Sequence, residues 1–384
     1  MHYMQKRILW ISLLITGVFF AFLLRSKPAE EAPRCPSNTT QAACWKNAIT
    51  RTLASGGIDA ALDLIAKFYD ASPEFAAPCH DYTHVVGRAA YDQFAKAKTV
   101  PINERTAFCS FGFYHGFMET LLAKRGDIKE ARVFCEYVDE KLKNKVNNAR
   151  LACYHGIGHG STDTHNPLYK SDERAVVKPA LERCEAFAQT QEQLKMCATG
   201  IFDSIAIAYY NRANGMEMKL DDPLWLCREQ PEKYKESCYL DMMTAISWLG
   251  NHQLEKSALY ISKYVEPAYT AIAMQTLADD SVRFVIGKGD PVGYVEVCRK
   301  QREDLYMPCI RGLASGMMQF GKPGEEYKRA LSFCQSNTLE ASEQSACTDT
   351  VFSFAQQRYP KEKISSLCES NAREYKQYCE SKIN

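Results

Sequence analysis

The chain of 384 residues is long enough to bury a substantial core, and its 46% hydrophobic and 24% charged content is that of a globular protein rather than a disordered one. Lys plus Arg at 47 against Asp plus Glu at 46 leaves no basic excess to grip a phosphate backbone, so nucleic acid is not an expected partner. Sixteen cysteines without a single CxxC exclude zinc ribbons, thioredoxin-type redox motifs and covalent haem attachment; they predict disulfides and an oxidising compartment.

In chain order, residues 1–7 form a short basic tail, and the run from Ile8 to Leu24 is uncharged and mostly apolar. Seventeen helical residues rise about 25 Å, a little short of a hydrocarbon core of about 30 Å but longer than most signal-peptide cores. Phe22, Leu23, Leu24 and Arg25 stand where a cleavage site would need small residues. The segment 8–24 therefore reads as an uncleaved transmembrane signal anchor, with a cleaved signal peptide as its rival. Lys6 and Arg7 stay inside, and the bulk of the chain faces the periplasm or an extracellular or lumenal space. Residues 25–43 read as a linker.

Residues 44–170 read as a His-bearing helical region. Five of the eight histidines fall in three segments that each follow a cysteine: CHDYTHVVG from Cys79, CSFGFYHGFMET from Cys109, and CYHGIGHG from Cys153. On a helix, residues four apart share one face. That spacing pairs His80 with His84, His115 with Glu119, and His155 with His159. Such pairs also arise as packed or hydrogen-bonded core residues. Their recurrence behind three cysteines points to a metal site on His80, His84, His115, His155 and His159, suited to Zn, Fe, Cu or Mn. Haem held by two of these histidines is a lesser alternative. Glu119 and Asp203 are the candidate catalytic carboxylates; Asp81 and Asp163 are weaker ones, and Asp163 with His165 lies in a polar insertion that would cover the site. Gly156, Gly158 and Gly160 make a poor helix interior, costing about 1 kcal/mol each relative to alanine, and predict close packing of a neighbouring backbone or a ligand.

From residue 171 to 384 the chain reads as helical repeats punctuated by cysteine pairs, a pattern that begins with Cys135 and Cys153. The pairs continue as Cys184 with Cys197, Cys227 with Cys238, Cys298 with Cys309, Cys334 with Cys347, and Cys368 with Cys379. Successive first cysteines are 43, 71, 36 and 34 residues apart from Cys184 onward. The step of 71 holds one cysteine-free unit, KSALYISKYVEPAYTAIAMQTLADDSVRFVIGKG. A period in the mid-thirties means stacked helical hairpins. Each unit has single apolar faces that only its neighbours can cover. A bridge across each hairpin is favoured by the regular spacing, with bridges between units as the alternative. The fold class is thus all-α: stacked helical-hairpin repeats in an α-solenoid or α/α superhelix, stapled by disulfides, after one N-terminal transmembrane helix.

The hairpin period and the turns Gly57-Ile58-Asp59, Gly126-Asp127 and Gly289-Asp290 resemble the tetratricopeptide and Sel1-like class of helical repeats. That resemblance implies architecture, and with it a protein partner on a concave repeat surface. A metal-dependent enzyme and a non-enzymatic scaffold at the membrane surface are therefore the two functions to distinguish.

Overall fold

In the computed structural model, residues 35–36, 39–162, 172–212 and 215–369 are described. The anchor at 8–24, Asp163, His165, the boundary at residue 170 and Cys379 lie outside them. Among the described residues the secondary structure is helical, and no helix is long and apolar enough to cross a membrane.

The helices are α1 (Gln41–Ala71), α2 (Cys79–Ala97), α3 (Phe108–Arg125), α4 (Ile128–Leu142), α5 (Ala149–Ser161), α6 (Arg174–Phe187), α7 (Gln191–Asn211), α8 (Trp225–Arg228), α9 (Glu232–Asp241), α10 (Met243–Leu249), α11 (Leu254–Tyr264), α12 (Thr270–Val282), α13 (Val292–Arg299), α14 (Glu303–Gln319), α15 (Glu326–Cys334), α16 (Ala341–Arg358) and α17 (Lys361–Glu369). They sort into two layers by the way each is buried. Helix α4 buries one stripe, Ala131, Phe134, Cys135, Val138 and Leu142, at the spacing of a single helical face. Its neighbour α5 is buried on nearly every side, from Ala149 through Ser161. The inner series α2, α3, α5, α7, α9 with α10, α12, α14 and α16 packs each helix on the next, and the amphipathic helices cover it from outside.

The glycine turns act as the sequence predicts. Gly126 ends α3 in the left-handed conformation (φ 62°), and Asp127 then caps α4 by accepting from the Lys129 and Glu130 amides at 2.9 and 3.2 Å. Gly57 (φ 79°) breaks α1 into two helical pieces. The cysteine-free stretch folds as the hairpin α11–α12. Met242, Met243, Met317 and Met318 are fully buried core residues.

Cysteine pairing follows the hairpins. Cys135 faces Cys153, Cys184 faces Cys197, Cys227 faces Cys238, Cys298 faces Cys309 and Cys334 faces Cys347, with Cα separations between 5.3 and 5.9 Å. Cys368 is also disulfide-bonded. Two further bridges, Cys35–Cys44 and Cys79–Cys109, span 9 and 30 residues, outside the 11–18 of the hairpin pairs, so the repeat spacing does not point to them.

The helical array returns on itself. Tyr69 donates to the Phe320 carbonyl at 2.6 Å, Ser110 to Gln319 at 2.9 Å, Arg283 to Ala77 at 2.6 Å, and Asn147 to Gln356 and Tyr359 at 2.7 and 2.9 Å. Arg358, paired in the interior with Glu326 at 3.3 Å, reaches the Ala107 carbonyl at 3.2 Å. The last hairpins thus close against the first.

Candidate metal centre

Glycines set the spacing of the inner helices. A Cβ at Gly87 would fall on the Phe113 carbonyl, and one at Gly116 on the His84 carbonyl, so α2 and α3 meet backbone to backbone. Gly156 and Gly160 do the same for α5 against Tyr114 and Met118 of α3. Gly158 and Gly200 face each other between α5 and α7, against the Cys197 and His155 carbonyls. Close packing therefore accounts for the glycines of CYHGIGHG. Its consequence is that side chains from four successive helices share one small volume.

That volume is filled by imidazoles. The His115 ring sits in the middle, with centroids 4.8 Å from His80, 5.1 Å from His84, 4.7 Å from His155 and 4.4 Å from His159. Rings in such direct contact leave no slot for a flat macrocycle between them, which disfavours haem.

Four of the five rings are oriented alike, Nδ1 outward and Nε2 inward. His80 Nδ1 lies 2.8 Å from the Cys109 carbonyl, which can only accept. His155 Nδ1 lies 2.7 Å from Thr199 Oγ1, whose own hydrogen goes to the Met196 carbonyl at 2.7 Å. His84 Nδ1 and His159 Nδ1 face Glu119 Oε1 at 3.5 and 3.7 Å. With the protons of His80 and His155 committed to their outer partners, their Nε2 atoms carry lone pairs. His80 Nε2 then lies 3.1 Å from His84 Nε2, and His155 Nε2 lies 3.2 Å from His159 Nε2. Asp203 Oδ2 completes the inner group, 3.0 Å from His159 Nε2 and 3.7 Å from His155 Nε2. Two lone-pair atoms facing each other across 3.7 Å repel unless a cation stands between them. For metal–nitrogen bonds of 2.0–2.1 Å, the edge of a tetrahedron is about 3.3 Å, close to the separations seen.

The electrostatics favour a cation. Burial holds His80 and His115 well below the usual imidazole range, reinforced by the neighbouring rings and, for His80, by Arg283. Burial also lowers His155, and Asp203 offsets this only in part. For His159 the order reverses: burial lowers it, but the hydrogen bond and charge of Asp203 with the charge of Glu119 outweigh burial and raise it. Burial works against ionising both carboxyls. It is overcome at Glu119, chiefly by His84, which brings it down to about 2, and at Asp203 by the His155 and His159 imidazoles beside it, of which His159 is in hydrogen-bond reach at 3.0 Å. The result is largely neutral imidazole beside two carboxylates, and His, Asp and Glu donors are those of transition metals.

Two donor groups emerge, His115 with His155, His159 and Asp203, and His80 with His84 and His115. The helical pairing of Glu119 with His115 does not form: the carboxylate faces His84 and His159 and pairs with Arg88 at 3.1 Å. Asp81 lies away from the donors, 3.4 Å from Arg283. No local pattern marks the outer partners Cys109 and Thr199, nor the acids Asp241 and Asp280 beyond Asp203. Asp241 is pushed well up by burial and then by the Asp203 charge. Asp280 rises to about 6 through burial, opposed by Ser247 and Arg283 and assisted by Asp203.

Three consecutive non-glycine residues, Cys109, Ser110 and Phe111, take left-handed backbone angles (φ 50°, 58° and 65°) at the start of α3. Each costs about 1–2 kcal/mol. This turn presents the Cys109 carbonyl to His80, so the strain sits where the histidine cluster is oriented.

Comparison with known proteins finds no matching family model, no similar curated protein and no similar solved structure.

Proposed function

We propose that this is an exported helical-hairpin protein, tethered to the membrane by residues 8–24, that holds a transition-metal ion on His155, His159, Asp203 and His115 and uses it as a metal-dependent enzyme. The hairpin class it resembles, tetratricopeptide and Sel1-like, supplies the scaffold, and the seven described bridges suit an oxidising space.

The observation that carries the reading is the shared orientation of four imidazoles, each with Nδ1 turned to an outer acceptor and Nε2 turned inward. Metal-ligating histidines are held in this way by carboxylates and carbonyls, which fix the tautomer and make the free nitrogen more basic. A set of three nitrogens and one carboxylate suits Zn, Fe, Cu or Mn, and an ion that takes five or six ligands keeps a position there for water or substrate. Solvent has a route to it, because the Glu119 and Asp203 side chains are 31% and 19% exposed. At that position a bound ion supplies Lewis-acid chemistry, and Glu119 is the carboxylate near enough to exchange protons with solvent.

A scaffold function alone gives this cluster no task, and closure of the last hairpins on the first reduces the open concave edge that solenoid capture uses. The test is elemental analysis of the full chain, purified non-reduced without a His tag, beside a His155→Ala/His159→Ala variant. About one ion per chain or more in the wild type, reduced in a still-folded variant, supports the reading. A wild type that takes up no Zn, Fe, Cu or Mn on reconstitution overturns it.

A further inference from the structure

A second group of donors converges beside the first. His80 Nε2 lies 3.1 Å from His84 Nε2 and 3.2 Å from His115 Nδ1, and the three donor atoms all lie within 4.8 Å of one another. We infer that the centre holds two ions rather than one, the second on His80, His84 and His115, with His115 common to both; this rests on the metal-binding reading above.

Hydrogen counting carries the argument. The single ring hydrogen of neutral His80 is committed to the Cys109 carbonyl, so its Nε2 offers one lone pair to two ring nitrogens at once. Only one N–H can lie along that lone pair, and the other contact stays unsatisfied in the interior. A cation satisfies all three nitrogens together. His84 has its own outer partner in Glu119, and the same carboxylate oxygen holds His159 of the first group. One anion thus orients a ligand from each set. The left-handed turn at Cys109–Phe111 adds a cost that a merely packed histidine would not require.

The two sets differ in charge. The first contains the Asp203 carboxylate, whereas the second is all nitrogen and has the Arg283 guanidinium in its neighbourhood, held by the Ala77 carbonyl at 2.6 Å and Asp81 at 3.4 Å. The second ion is therefore the more weakly held. A nitrogen binds one ion, so with both sets filled His115 would release its ring proton to solvent and serve both as an imidazolate, one ion through Nδ1 and the other through its remaining nitrogen.

The test is a Zn(II) titration of the full, untagged, chelator-stripped chain, followed by desalting and elemental analysis, with circular dichroism and non-reducing melts as fold controls. The expected wild type takes two ions in two phases. His80→Gln/His84→Gln takes one, losing the weaker phase, and His115→Gln weakens both phases. A wild type that stops at one ion, retained by His80→Gln/His84→Gln, overturns the second site and leaves the first standing. Two ions unaffected by that variant also overturn it, because the second then sits elsewhere. No bound ion at all defeats both readings. Should the double variant unfold, His80→Gln alone takes its place, with the same outcomes.

Discussion

A methyl group at Gly158 tests whether backbone contact between α5 and α7 holds the ligands in place. In Gly158→Ala the new Cβ falls on the Cys197 carbonyl oxygen and 2.9 Å from both the Gly200 Cα and the Ile201 nitrogen. All three are backbone atoms, so no side chain can rotate away, and Cys197 is tied to Cys184. Restoring ordinary contacts of about 3.5–4.0 Å from the 2.0 Å approach to that oxygen requires the helices to part by roughly 1.5–2 Å. His155 and His159 move with α5 while Asp203 stays on α7, and metal sites tolerate only about 0.2 Å in each bond. Overpacking costs about 1–3 kcal/mol, offset by about 1 kcal/mol from the better helix propensity of alanine. The net loss expected in non-reducing denaturation is up to about 2 kcal/mol, with metal affinity down about 10–100-fold in a chelator competition. Gly293→Ala is the control: its Cβ meets nothing within 4 Å, so a small gain of up to about 1 kcal/mol is expected. Wild-type stability together with wild-type metal affinity in Gly158→Ala would refute the packing argument.

Three further outcomes follow from the same structure. Because the fold raises the His159 pKa, the metal-free protein gains stability that is full below the unfolded value near 6.5 and is lost as pH rises through the folded one; His159→Gln should flatten that slope in pH-dependent melts. Asp279 is pushed up to about 7 by burial, with Asp280 adding and Ser315 opposing, so its proton is favoured by the fold and stability falls as pH rises from about 4 to 7. Asp279→Asn should gain about 1–3 kcal/mol at pH 7 and nothing at pH 4, and an equal effect at both would exclude burial of the charge as the cause. Removing the bridge across a sequence separation of 13 with Cys184→Ala/Cys197→Ala should cost about 3 kcal/mol in the chain-entropy model, read as a lower midpoint without loss of the other bridges.

The hairpins were legible because their signals are local: cysteine spacing, amphipathic stripes such as that of α4, and turns at Gly126-Asp127. The HxxxH pairs were legible for the same reason, since one helical turn places His155 over His159. What the sequence could not show depends on contacts between distant segments. His115 stands at the centre of five rings only because α3 lies between α2 and α5. Glu119 turns from His115 toward His84 and His159 because its neighbours are set by packing rather than by spacing along α3. Closure rests on contacts such as Tyr69 with Phe320, which no repeat period encodes. The left-handed start of α3 was hidden because Cys109, Ser110 and Phe111 carry no glycine signal for it.

Register within the repeat separates what the fold needs from what the site needs. Counting from Cys109, Cys153, Cys197 and Cys309 in four of the inner helices, the third residue is Gly112, Gly156, Gly200 and Gly312, and each meets a neighbouring helix closely. Gly312 does so where no histidine is near, so this glycine belongs to the packing. The sixth residue at the same four helices is His115, His159, Asp203 and Ser315, and after Cys347 it is Ser353. The position that projects from the same turn thus carries ligands in three successive helices and only hydroxyls in the later ones. After Cys238 the glycine itself is replaced by Asp241, whose buried carboxyl lies within the field of Asp203. Packing is therefore the constant of this fold and ligand chemistry its local departure. The departure is confined to adjacent helices, where the shared glycine spacing can bring the side chains to one ion or two.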